Sequence, residues 1–168
     1  ERGKVARTIY GYEVRVTELL FRGTLENLPP KALALVFTAL VHEDRRREPP
    51  PRLPQRLWGD LRKQVDRMVQ QLIKVEARFG VPVPMRRPDW GMTRPLLDWM
   101  RGATLEELEE RMETGSGDFV RTLRMTVQLM RNVRRAVDPS WDVHDRLEEA
   151  LELLNRDEVD AARQLELG

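Results

Sequence analysis

Between Ser116 and Val137 the chain reads SGDFVRTLRMTVQLMRNVRRAV, and Arg121, Arg124, Arg131, Arg134 and Arg135 fall within it. Guanidinium groups bind phosphate and carboxylate through paired N–H donors and stack on flat π-faces, so the chemistry on offer is anion recognition. At about 100° per residue of an α-helix, Arg121, Arg124, Gln128, Arg131 and Arg135 share an arc of about 80°, with Met125 and Asn132 along one margin. Phe119, Leu123, Val127, Met130 and Val137 gather on the other side. A solvated helix ordinarily interleaves Glu and Lys at i,i+4 to support itself. This one has Asp118 at its N-terminus and no further acid before Val137. Two partners answer the pattern. One is an acidic surface, such as the EELEERME stretch at residues 106–113 or a separate protein. The other is the backbone of a single-stranded nucleic acid, whose phosphates would meet the arginines and on whose bases the guanidiniums and Met125 could stack. Backbone contacts do not read the 2′-hydroxyl, so the pattern does not distinguish RNA from DNA.

Other chemistry is sparse. No G-x-x-x-x-G-K-[ST] phosphate loop occurs, and Ser116 has no neighbouring base to make it a nucleophile. His42 and His144 stand apart, without the H-E-x-x-H spacing of a zinc site. The acidic run RDEVDA lacks an apolar strand to present it to magnesium and reads as a solvated helix start. Cysteine is absent, which removes disulfides and thiolate metal sites and suits a reducing, cytoplasmic setting. No apolar run approaches the roughly 18 residues of a membrane span. Lys+Arg 29 against Asp+Glu 28 leaves a net charge of +1, so attraction for an anion must come from arrangement. These readings predict no catalytic set, cofactor or metal in the chain itself.

The elements that would carry the stripe are helices. With 168 residues and 40% hydrophobic content the chain can bury one core. Val16, Leu19 and Leu20 recur at helical spacing between Glu13 and Arg22, and Gly23 follows as a stop. Pro29 and Pro30 open KALALVFTALVHE, apolar nearly all round and so central. Residues 44–56, rich in proline and arginine, read as a loop. From Trp58, an apolar face at Leu61, Val65, Met68, Leu72, Val75 and Phe79 predicts a helix of about six turns. The helix TRPLLDWMR ends at Gly102, and Thr104 with Glu107 predicts a capping box for LEELEERME. Ser140 is expected to cap a helix bearing Val143, Leu147, Leu151 and Leu154, and Asn155 with Glu158 a last short one. The tryptophans Trp58, Trp90, Trp99 and Trp141 are expected in the core. The prediction is an all-α helical bundle of about seven to eight helices.

Three stretches, VTELLFRGTLENLPPKALALVFTALVHEDRR, LLDWMRGATLEEL and GSGDFVRTLRMTVQLMRNVRRAV, resemble in that order the C-terminal DSHCT domain of the superkiller-type DExH-box RNA helicases, bacterial members above all. The resemblance implies that residues 1–12 end a segment arriving from a winged-helix module and that residues 13–168 form one bundle packed on two RecA-like motor domains. The start at Glu1 without an initiator methionine fits a piece of such a longer chain. It also implies that ATP and magnesium are handled by the motor domains, and that residues 118–137 form a ratchet helix against the translocating strand. Related eukaryotic proteins turn an arginine and, three residues on, a glutamate towards that strand; here the matching positions hold Met125 and Gln128. The neighbouring Arg121, Arg124 and Arg131 are then the strongest expected contacts, with Arg135 beside them; Gln128 can still hydrogen-bond a base and Met125 pack on one. The alternative is a structural or protein-interaction module that touches no nucleic acid.

Overall fold

In a computed structural model the described residues are 2–3, 12–43, 55–82, 85–112 and 115–166. Every regular element among them is helical: α1 (Glu13–Phe21), α2 (Pro30–Val41), α3 (Gln55–Arg78), α4 (Thr93–Met100), α5 (Leu105–Glu109), α6 (Ser116–Ala136), α7 (Asp142–Leu154), a 3₁₀ turn at Asp157–Val159, and α8 (Ala161–Glu166). The all-α bundle predicted from periodicity is the fold. Most of the segment at residues 1–12 and of the loop at residues 44–56 lies outside the described residues, but the loop's expected last residues, 55 and 56, already belong to α3.

α2 is the hub. Every residue from Ala32 to Val41 is buried, as an all-round apolar helix must be, and α4, α6 and α7 pack around it. The buried apolar side chains form one continuous cluster, from Val16 and Leu19 of α1 to Leu154 of α7 and Val159 of the 3₁₀ turn. Trp99, fully buried, is a junction within it: its ring meets Phe119 of α6 edge-on at 5.8 Å, and its indole N–H donates to the Leu154 carbonyl at 3.1 Å. Trp90 is buried as expected, whereas Trp58 and Trp141 lie half-buried at the margin.

Gly23, with φ +73°, takes the left-handed conformation that ends α1. The capping box is present: the Thr104 hydroxyl accepts from the Glu107 N–H and the Glu107 carboxylate from the Thr104 N–H. Two other caps differ from expectation. Ser140 gives both its N–H and its hydroxyl to Asp138 Oδ1, at 2.9 and 2.7 Å, so α7 begins at Asp142 without a side-chain cap. A carboxylate two residues upstream competes successfully for that hydroxyl. Asn155 caps nothing either; the chain turns through Arg156 and Asp157, and α8 is capped by Asp160, whose Oδ1 accepts from the Ala162 N–H at 3.2 Å.

α3 departs from the amphipathic reading in one respect. Leu61, Val65 and Met68 are buried, but Val75 is 47% and Phe79 82% exposed. Twenty-four residues make a helix of about 36 Å, against about 18 Å for the twelve of α2. The outer turns of α3 overhang the bundle, and their apolar face has no helix to cover it among the described residues.

Candidate nucleic-acid interface

α6 spans 21 residues and is divided lengthwise. Phe119, Thr122, Leu123, Thr126, Val127, Leu129, Met130, Val133 and Ala136 are buried. Thr126 keeps a buried hydroxyl satisfied by donating to the Thr122 carbonyl at 2.9 Å. On the opposite face Arg121, Arg124, Met125, Gln128, Arg131 and Arg135 are all exposed. The row they form is about 21 Å long, from the helical rise over fourteen residues. Burial of the apolar face against α2 and α7 therefore fixes the direction in which the arginines project.

Each position has its own surroundings. Arg121 donates to Asp118 Oδ1 at 2.8 Å, one turn towards the helix N-terminus. Arg124 donates through Nη2 to the Glu158 backbone carbonyl at 2.6 Å, which ties it to the 3₁₀ turn. Gln128 Nε2 donates to Asn132 Oδ1 at 3.1 Å. Met125, 45% exposed, presents a thioether between the arginines. Among the described residues, neither Arg131 nor Arg135 has an ion-pair partner. Arg134 projects to the flank of the stripe and ion-pairs with Glu148 of α7. It pins two helices together and stands apart from the row.

The α5 acids do not neutralise the row. Glu106, Glu107, Glu109 and Glu110 are exposed, Glu107 is engaged in the capping box, and among the described residues none pairs with an α6 arginine. Asp118 in the first turn and Arg134 and Arg135 in the last complement the helix dipole. The surface is thus a narrow cationic ridge with the Met125 thioether at one margin, suited to phosphate bonding and stacking. Among the described residues no three His, Asp or Glu side chains gather as a metal site. His42 closes α2, with Nε2 3.8 Å from Asp89 Oδ1, and His144 contacts Asp145 on α7.

The sequence reading missed the wall beside the ridge. Arg156 lies over the Trp99 ring at 3.7 Å and donates to the Trp99 and Ala103 carbonyls at 2.7 and 2.6 Å. In the RDEVDA stretch the acids make local contacts, Asp157 with Arg156 and Arg163 and Asp160 with the start of α8, whereas the arginine reaches across to α4. Fifty-seven positions separate Arg156 from Trp99, so no local spacing signals the pair.

Comparison with known proteins shows the family. The chain is 24% identical to Antiviral helicase SKI2 of Saccharomyces cerevisiae over 96% of its own length and 13% of the relative's. Against Superkiller complex protein 2 of Mus musculus the figures are 26%, 95% and 13%. For Probable helicase HelY of Mycobacterium tuberculosis they are 32%, 80% and 16%. The chain therefore spans a small fraction of each of these proteins. The DSHCT (NUC185) domain matches residues 1–162, and with that match over nearly its whole length the chain belongs to the DSHCT domain family.

Proposed function

We propose that this chain is the accessory C-terminal domain of an ATP-dependent RNA helicase and that α6 runs along the translocating single strand. The exposed row of Arg121, Arg124, Gln128, Arg131 and Arg135 over a buried apolar face carries this reading. In it, Arg131 and Arg135 bond phosphates, Arg121 and Arg124 flank them, and Met125 and Gln128 meet the bases. The family match and relatives named as helicases support the setting. ATP and magnesium act in RecA-like motor domains of the parent protein, and this chain contributes grip and direction to their channel. The exposed Val75 and Phe79 on the overhang of α3 support a packing surface for those motor domains.

Titration of a labelled single-stranded RNA against the chain and its Arg121→Ala/Arg124→Ala/Arg131→Ala variant tests the proposal. The variant should bind more weakly at low salt, because each phosphate contact on a single strand contributes a salt slope of about 0.7. Equal affinity would remove the row as a binding surface and favour a purely structural or protein-binding module.

A further inference from the structure

Among the described residues, Arg124 differs from the other arginines of the row in being held from outside its own helix. Its Nη2 donates to the Glu158 carbonyl, and Glu158 sits in the Asp157–Val159 turn. That turn depends on Arg156. The Arg156 guanidinium lies over the Trp99 ring, donates through Nη2 to the carbonyls of Trp99 in α4 and of Ala103 just beyond it, and through Nη1 to Asp157 Oδ2 at 2.6 Å. The Asp157 backbone has φ +47°, a left-handed conformation that favours glycine. It is held there by its carboxylate, bonded to Arg156 on one side and to Arg163 at 3.4 Å on the other.

We infer that Arg156 is a positioning residue for strand binding: it fixes the Asp157–Val159 turn on α4, and the Glu158 carbonyl of that turn holds Arg124 in the strand-facing row. A guanidinium has five N–H donors in a rigid fork, so one bond to Glu158 leaves donors free for a phosphate. A side chain ordered before binding loses less freedom when the strand arrives. Arg156 thereby acts on the strand through Arg124 without touching it. The inference rests on the proposed strand-binding role of α6.

A double-mutant cycle on the full chain, read by anisotropy of a labelled single-stranded uridine homopolymer, tests it. Arg156→Lys keeps the charge but loses the planar fork and the stack. It should weaken binding about three- to tenfold in the native background, the range expected for freeing one ordered side chain. In an Arg124→Ala background the same change should cost less than about twofold, because the group it positions is gone. Equal losses in both backgrounds, or no loss in the native one, would overturn the inference. A thermal melt of each variant ensures that folded protein is compared. An Arg121→Ala/Arg131→Ala/Arg135→Ala variant separates the two levels. If it binds as the native chain does, the strand-binding reading fails and this inference with it; if it binds weakly while the cycle is additive, this inference alone fails.

Discussion

Within the row, and among the described residues, Arg131 and Arg135 are the arginines whose charge is least compensated, since Arg121 shares Asp118 and Arg124 is held by a carbonyl. Binding that depends on phosphates should depend most on these two. Replacing both by alanine is expected to lower the slope of log K against log salt by about 1.4, two contacts at about 0.7 each. Stability should fall by no more than about 1 kcal/mol, because both side chains are exposed and only Arg135, in the last turn, complements the helix dipole. RNA titrations across a potassium chloride series, paired with urea unfolding, would check both statements. An unchanged slope would show that the two arginines meet no phosphate. Arg134→Ala should behave in the opposite way: it removes the ion pair to Glu148 between α6 and α7 and leaves the salt slope unchanged. Met125→Ala isolates packing from charge, since it should reduce affinity without altering the slope. The residue types of the row were legible because a helical wheel needs only the sequence. Their partners were legible in part: Asp118 lies on the same helix, whereas Glu158 is 34 positions away.

Local signals were read well where nothing distant competed with them. The Thr104 box uses only neighbours within one turn, and it is present. Thr104→Ala should therefore cost about 1 kcal/mol, the usual worth of an N-cap hydroxyl, seen as an earlier urea midpoint with unchanged m-value. Ser140 and Asn155 carry equally good local signals and fail, the first because Asp138 captures the hydroxyl, the second because Arg156 is drawn to α4. α2 was legible because a helix apolar on every side has one place to go. α3 was legible as a helix from its three-and-four spacing, but periodicity does not say how long the neighbours are. Its apolar face continues beyond them, and Phe79 is left in solvent. Phe79→Ser should leave the melting temperature of the chain within about 2 °C of the native value, since little buried area is lost. The same change should weaken association with the motor domains if the overhang is their packing surface. Co-purification of the separately produced motor domains would read this; undiminished association would place their contact elsewhere.

At the scale of the whole molecule, the basic ridge and the core are joined through Trp99. Its ring contacts Phe119 on the buried side of α6, its indole N–H satisfies the Leu154 carbonyl at the end of α7, and Arg156 lies over the ring. Three helices and the turn beside Arg124 therefore converge on one side chain. Trp99→Phe keeps an aromatic ring but removes the N–H donor and part of the volume. It leaves a carbonyl without its bond and a gap under Arg156, each worth about 1–3 kcal/mol. A loss of about 2–6 kcal/mol is a large share of the 5–15 kcal/mol that holds such chains folded, and corresponds to a fall in melting temperature of about 4–24 °C at this size. Because the apolar cluster is continuous, the loss should appear as one cooperative transition displaced to lower temperature, with far-UV and near-UV signals moving together. Below that transition the variant should also bind single-stranded RNA more weakly, since the platform that orients Arg124 has shifted. Two separate transitions would mean that the turn and α8 unfold independently of the bundle, and the ridge would then be supported by α6 alone.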